Sequence, residues 1–390
     1  MSDSLPKSER PLEDVRVLDF SRYLSGPMAA ALLGDLGADV IKVERPDGDH
    51  YRAIGMRPPG AADSVLFLAA NRGKRSIALE LADERGRAVA LKLIERADVL
   101  IENFRPGIMD ELGLGWEAAR VVNPRLVYVS LSGFGQSGAA AGRPAYDPIV
   151  QAMSGLMATI GEPSQPPLLA GEALADVASG VFASWGCLAA LYQRQRTGRG
   201  THVDVSMLES LMTLIPTASV THLVGGVELP RSGNKHPVSA PFGIYRAGQG
   251  HFAVAVISLR QFEVMMRAIG RPDLSADPRF ASDTLRRTNE PLLAEAIESW
   301  AADMTAGEAV ARLQGGGVPA SEVLSVPQAW STDIIRGREA ATTVDHPQIG
   351  EVLIPEQPVR FLGSKRGRRR AAPLLNQHEA EILAEIGWQE

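Results

Sequence analysis

The chain has 390 residues, 45% of them hydrophobic and 22% charged, with a formal net charge of −6 at pH 7. That balance sets aside disordered and fibrous classes and leaves room for a large core in one or two domains. The acidic balance withholds the basic field that nucleic acid binding uses, and the single cysteine, Cys187, excludes an intrachain disulfide or a multi-cysteine metal site.

From the N-terminus, MSDSLPKSERPLED is polar and lacks the apolar stretch of a signal peptide. With one thiol to keep reduced, it points to the cytoplasm. Val15 to Phe20 (VRVLDF) reads as a strand. Gly26 to Leu36 reads as a helix, with Pro27 where a first turn tolerates it. Ala38 to Val43, Ser76 to Leu81, Val99 to Ile101 and Leu126 to Leu131 read as further strands, separated by helices at Asp83 to Arg96 and Trp116 to Val122. This alternation predicts an α/β fold: a parallel sheet covered by helices on both faces, with ligands beyond the carboxyl ends of the strands.

A Gly-rich loop, Gly133 to Gly142, precedes helices expected at Tyr146 to Leu156 and Glu172 to Gln195, a strand at Thr201 to Val205 and a helix at Met207 to Leu223. Pro230 to Pro241 is a turn-rich linker, Gly243 to Ile257 a hairpin, and Gln261 to Ile269, Pro291 to Ala301 and Thr305 to Leu313 are helices. Ile349 to Leu353 and Gln377 to Ile386 read as a closing strand and helix. The domains predicted are 1–225, a smaller α+β domain over 226–325, and a return to the first over 326–390. Lys365 to Arg370 (KRGRRR) is the one charge block and reads as a solvated loop. Apolar runs fall short of a membrane span, so no membrane partner is expected.

The first strand–helix–strand unit carries Glu44 where an acid would hold a ribose, but its turn, SRYLSGP, lacks Gly-x-Gly-x-x-Gly, so a dinucleotide site is not expected. Lys42, Arg45, Arg72, Lys74, Arg75 and Arg105 flank strands. They are either a cluster for a phosphate-rich ligand or unrelated surface charges. The seven histidines are scattered, and no His-Glu-x-x-His, Gly-x-Ser-x-Gly or P-loop is present. Asp176, in GEALADVASG, is surrounded by small apolar residues beside a helix start. It reads as an N-cap or as a desolvated carboxylate with a chemical role.

Six segments in order resemble the class III (CaiB/BaiF) CoA-transferases, which include formyl-CoA transferase, carnitine CoA-transferase, succinyl-CoA:glutarate CoA-transferase and α-methylacyl-CoA racemase. They are VRVLDFSRYLSGPMAAALLGDLGADVIKVERP, AANRGKRSIALEL, ADVLIENFRPG followed by LGLGW, GRPAYDPIVQAMSGLM, GEALADVASGVFASWGCLAALYQRQRTGRGTHVDVSMLES and PLLNQHEAEILAEIGW. Singly weak, together they span the chain from about Val15 to its end.

The resemblance implies that Asp176 is the catalytic carboxylate. It would attack an acyl-CoA thioester and carry CoA as an aspartyl thioester to an acceptor acid, with oxyanion donors sought around Ser232 to Asn234. It also implies that acyl-CoA and a small carboxylic acid are the partners, with no tightly bound cofactor. Lys42 and Arg45 would lie near the adenine and ribose phosphate. Arg72, Lys74, Asn103, Phe104 and Arg105 would line the nucleotide and pantetheine, and Leu24 and Ser25 the thioester. Tyr146 would stand beside the site. Formyl-CoA transferase has Gln at the position of Leu24, which argues against oxalate and formate. Racemases have His-Asp where this chain has Tyr146-Asp147 and an acid within Val256 to Phe262, where it has none, so the transferase reading leads. The family's fold is a Rossmann-like large domain with an inserted small domain, in an interlocked homodimer. A dicarboxylate acceptor would want an arginine, from among Arg22, Arg52, Arg57 and Arg231.

Overall fold

The computed structural model describes residues 10–362 and 370–389, so the basic run, Arg370 apart, lies outside the described residues. The first part of the chain runs β1 (Arg16–Asp19), α1 (Ser25–Asp35), β2 (Asp39–Glu44), α2 (Val65–Ala70), β3 (Arg75–Ala78), α3 (Glu84–Glu95), β4 (Val99–Glu102), α4 (Ile108–Glu111), α5 (Trp116–Val122) and β5 (Val127–Ser132). Then come α6 (Asp147–Met153), α7 (Leu156–Thr159), α8 (Leu174–Thr197), β6 (Thr201–Ser206), α9 (Met207–Thr213) and α10 (Pro216–Gly225). The six strands form one parallel sheet in the order β3-β2-β1-β4-β5-β6.

The central strands β1, β4 and β5 are buried almost throughout, as in a sheet covered on both faces, while the edge strand β6, THVDVS, is partly exposed. Leu18, Ile41, Ile77, Leu100 and Tyr128 project to one face and join Val89, Leu93, Ile382 and Ile386 in a buried cluster. Helices α1 and α8 pack against each other, and α8 packs against β5 and β6.

Beyond α10 the chain makes β7 (Phe242–Arg246), β8 (His251–Ala255), α11 (Leu259–Ala268), α12 (Asp273–Ala276), α13 (Asp283–Thr288), α14 (Glu290–Trp300), α15 (Ala306–Gly315) and β9 (Ala320–Glu322). Strands β7, β8 and β9 form an antiparallel sheet around Tyr245, Phe252, Phe262, Leu293 and Leu313. Helices α16 (Val326–Trp330) and α17 (Asp333–Gly337), the antiparallel pair β10 (Ala341–His346) and β11 (Gly350–Pro355), and α18 (Glu379–Glu385) complete the fold.

Two compact units result. The first comprises Met1–Ser154, Ala170–Ile215 and Gly337–Glu390, and the second Gly155–Leu169 and Pro216–Arg336. The C-terminal return is fastened to β3: Ala78 N–H donates to Asn376 Oδ1 at 2.7 Å, and Arg75 binds Glu381 at 2.8 Å and Glu385 at 2.6 Å. The helix expected at Met207 to Leu223 stops at Thr213 and resumes at Pro216, which cannot donate to the preceding turn and disfavours helix at Ile215. Gly155, left-handed at φ 86°, likewise divides the expected helix Tyr146 to Leu156.

Candidate active site

Strand β1 lies between β2 and β4, so the chain leaves it to opposite sides of the sheet, and the loops beyond the carboxyl ends of β1 and β4 diverge. Such a switch point opens a crevice. Here it is a cavity of about 890 Å³, floored by Arg22 to Ser25 after β1, Asn103 to Pro106 after β4 and Ser132 and Gly133 after β5. The first turns of α6 and α8 close one side with Tyr146, Asp147 and Asp176.

Asp176 is the third residue of α8, not its N-cap. Ala173 holds the cap position and offers no side-chain acceptor. The acceptor comes from Asp147, whose carboxylate takes hydrogen bonds from Ala175 N–H at 2.6 Å and Asp176 N–H at 3.3 Å. Asp147 is itself fixed by Gln151, whose amide donates to it at 2.5 Å and to Glu172 O at 3.0 Å.

Ser25 lines the cavity with Asp176, and its hydroxyl pulls the Asp176 carboxyl down. Asn103 Nδ2 donates to Ser25 Oγ at 3.3 Å. Burial, followed by the negative charge of Asp147, lifts the Asp176 carboxyl to about 6 against the opposing pull of Ser25. No ion pair holds Asp176 among the described residues. At neutral pH it is therefore an ionised, poorly solvated carboxylate facing a cavity, the state a nucleophile requires.

The strand-end cations divide. Arg45 and Arg105 line the cavity, as do Leu24, Ser25, Asn103, Phe104 and Tyr146, the last 63% exposed. Lys42 and Lys74 do not. Lys42 is fully buried, 2.8 Å from Ser21 O and 3.1 Å from Asp49, and Lys74 is bound to Asp19 at 2.7 Å. Neither reaches a nucleotide phosphate in this arrangement, because each already neutralises a buried carboxylate. Arg72 is engaged by Asp35 at 2.5 Å, and Arg75 by Asp39, Glu381 and Glu385 on the helix-return side of the sheet.

Glu44, the residue at a ribose-binding position, is buried against Arg52 at 2.7 Å. Arg52 is thereby spent, and Asp63 holds its other side at 2.7 Å. Arg231 donates to the carbonyls of Glu162, Pro163 and Gln165 within the second unit, which also contains Ser232 to Asn234. Of the four arginines expected for a second carboxylate, Arg22 lines the cavity, its guanidinium 4.5 Å from the Phe104 ring centre.

Tyr23, Tyr51 and Arg143, which the sequence reading missed, also line the cavity, as does Asp147, which it named only as the match to the racemase aspartate. Tyr23 is left-handed, at φ 63°, and its ring meets Tyr146 edge-on at 5.9 Å and Tyr51 at 6.4 Å. Tyr51 precedes the buried Arg52, and Asp147 opens a helix with Pro148 in its first turn. Those were the sequence signals available for these two residues.

The family model for CoA-transferase family III matches residues 12–379. The acetyl-CoA:oxalate CoA-transferase of Acetobacter aceti is 38% identical, over 100% of both chains. The succinyl-CoA:glutarate CoA-transferase of Mus musculus is 35% identical over 97% of this chain and 87% of its own. The crystal structure of a CaiB/BaiF family protein from Brucella suis superposes with a TM-score of 0.87 at 34% identity, over 97% of this chain and all of that one. With a parallel six-stranded sheet, a crevice at its switch point and likeness over nearly its whole length, the chain belongs to CoA-transferase family III and is an enzyme of that type.

Proposed function

We propose that Asp176 carries CoA between acids as a covalent thioester. A carboxylate oxygen of Asp176 attacks the acyl-CoA carbonyl, the C–S bond breaks and CoA leaves as a thiolate. The mixed anhydride so formed is attacked at the Asp176 carbonyl carbon by that thiolate. The C–O bond to that carbon breaks, the donor acid leaves as its carboxylate, and aspartyl-CoA remains. An acceptor carboxylate runs the same steps in reverse, with no net change in protons or electrons. The observation that carries this reading is a half-buried carboxylate, lifted to about 6, at the first turn of α8 facing the cavity that Ser25 also lines. Racemisation would need a second base beside Asp147, and the residue there is the phenol Tyr146.

The acids carried are read as dicarboxylates, since relatives are named for oxalate and glutarate. An oxalate enzyme among them keeps oxalate open despite Leu24. Arg22 is placed to take a distal carboxylate, and Arg45 and Arg105 to take CoA phosphates. CoA enters as substrate rather than as a resident cofactor. A homodimer is proposed from the outward apolar stripe of α8: Val177, Val181, Trp185 and Tyr192.

The test is mass spectrometry of the protein mixed with succinyl-CoA, quenched and digested. CoA on the peptide containing Asp176 is expected, and Asp176→Ala should lose exchange while still binding CoA. An unmodified peptide with several acyl-CoA donors, or turnover by Asp176→Ala, overturns the reading.

A further inference from the structure

We propose that Asp19, Lys42, Lys74 and Asp49 are positioning residues for CoA transfer, a buried charge network that holds the loop 21–25 so that Ser25 keeps its place beside Asp176 in the cavity wall. The inference rests on Asp176 as the nucleophile.

The network sits at the carboxyl end of the sheet, beneath the cavity floor. Asp19 ends β1 and is in register with Lys42 on β2. All four side chains are essentially inaccessible to water. The two cations and two anions balance, but desolvating four charges is costly, and apolar residues of the same volume would usually be as stable. What the charges determine is therefore the better guide to their role: Asp19, Lys42 and Asp49 hydrogen-bond the loop, and Lys74 ties Asp19 to the first turn of α1.

Asp19 Oδ1 accepts Ser21 N–H at 3.0 Å and also the Ser21 hydroxyl. Lys42 donates to Ser21 O at 2.8 Å. Asp49 Oδ1 accepts Tyr23 N–H at 3.3 Å and Tyr51 N–H at 2.9 Å. Lys74 donates to Pro27 O, in the first turn of α1, at 2.8 Å. Asn103 closes the set from β4, accepting Arg22 N–H at 2.8 Å and donating to Arg22 O at 2.7 Å.

Tyr23 shows what the network overcomes. A bulky side chain disfavours φ 63°, and such a residue persists where its surroundings over-determine it. The left-handed step lies two residues before Ser25, which starts α1 and lines the cavity together with Asp176. A loop relaxed at Tyr23 would withdraw Ser25 while leaving Arg45 and Arg105, on separate loops, free to bind CoA.

The experiment compares Lys42→Met, Asp49→Asn and the double variant with wild type for kcat, acyl-CoA KM, the single-turnover rate of CoA capture by Asp176, and Tm. A displacement near 1 Å at a reacting group costs on the order of 100-fold. Capture and kcat in Lys42→Met should fall by about that factor with KM little changed, the signature of an interaction lost in the transition state. The double variant removes one charge of each sign and should regain Tm without regaining kcat. A raised KM with kcat intact would make Lys42 a CoA ligand and overturn the proposal. Unchanged kinetics, or kcat restored by charge balance in the double variant, would overturn it equally. If Lys42→Met does not fold, Asp49→Asn is read alone, because it keeps an acceptor for Tyr23 and loses the charge facing Lys42. No CoA on wild-type Asp176 would defeat the nucleophile reading instead, whereas a normal wild-type adduct with unaffected variants defeats the network alone.

Discussion

At the scale of single residues, the role proposed for Asp176 predicts that rate and stability respond to pH in opposite directions. Only the carboxylate attacks a thioester. With the group lifted to about 6, CoA capture should fall about tenfold per pH unit below that value and level off above it, as read in stopped and quenched single turnovers. Stability runs the other way. The folded chain holds a proton on Asp176 up to about 6, the unfolded chain only to 3.8, so stability is lost as pH rises through that window, by at most about 3 kcal/mol at pH 7. Asp176→Asn, neutral and of the same shape, should raise Tm at pH 7 and bring no gain at pH 4 in calorimetry. Equal gains at both would show that desolvation does not burden this carboxylate. The residues around Asp176 leave an N-cap and a desolvated carboxylate both open, and it is the family resemblance that implies a catalytic role. The resemblance implies CoA contacts for Lys42 and Lys74, whereas the fold buries both against Asp49 and Asp19, partners that a row of strand-end cations does not reveal. Asp19 became a partner of Lys42 only once β1 and β2 stood in register.

At the scale of elements, the site depends on how closely α1 and α8 approach. Both helices present small residues where they meet, and a Cβ at Gly180 would lie 2.8 Å from Ser25 O, the main chain of the residue that lines the cavity together with Asp176. Alanine in a helix interior ordinarily gains about 0.5–1 kcal/mol over glycine, but here the added carbon meets backbone, which cannot swing aside. Gly180→Ala should therefore lower Tm and cut kcat about tenfold or more by parting Ser25 from Asp176. A raised Tm with full activity would mean that the helices slide apart without disturbing the pair. Patterning revealed the six parallel strands and α8 because short apolar or alternating segments regularly interrupt stretches of helix formers. Strands β9 and β10 escaped: β9 is three residues long, and β10, ATTVDH, is mostly polar. The segment 155–169 joins the second unit after the left-handed Gly155 ends a helical run that looked continuous.

At the scale of the whole molecule, α8 poses the remaining question. Among the described residues it is long and apolar enough to cross a membrane, yet one face is buried by Ala175, Ala178, Ala183, Cys187 and Leu191 in its own unit. On the other face Val177, Val181 and Trp185 follow at intervals of four, with Tyr192 beyond, and Trp185 is 67% exposed. A large aromatic and two valines in line on a helix are costly to leave in water, and a second copy of the chain is the occupant the homodimer reading supplies. Val177 is the neighbour of Asp176, so covering this face would also brace the helix start that carries Asp176. Trp185→Glu should halve the mass measured by light scattering or sedimentation and make activity fall on dilution, while far-ultraviolet circular dichroism stays unchanged. If the variant keeps the wild-type mass, the stripe is not the interface; if the wild type is itself a monomer with full exchange activity, the site at Asp176 is complete within one chain.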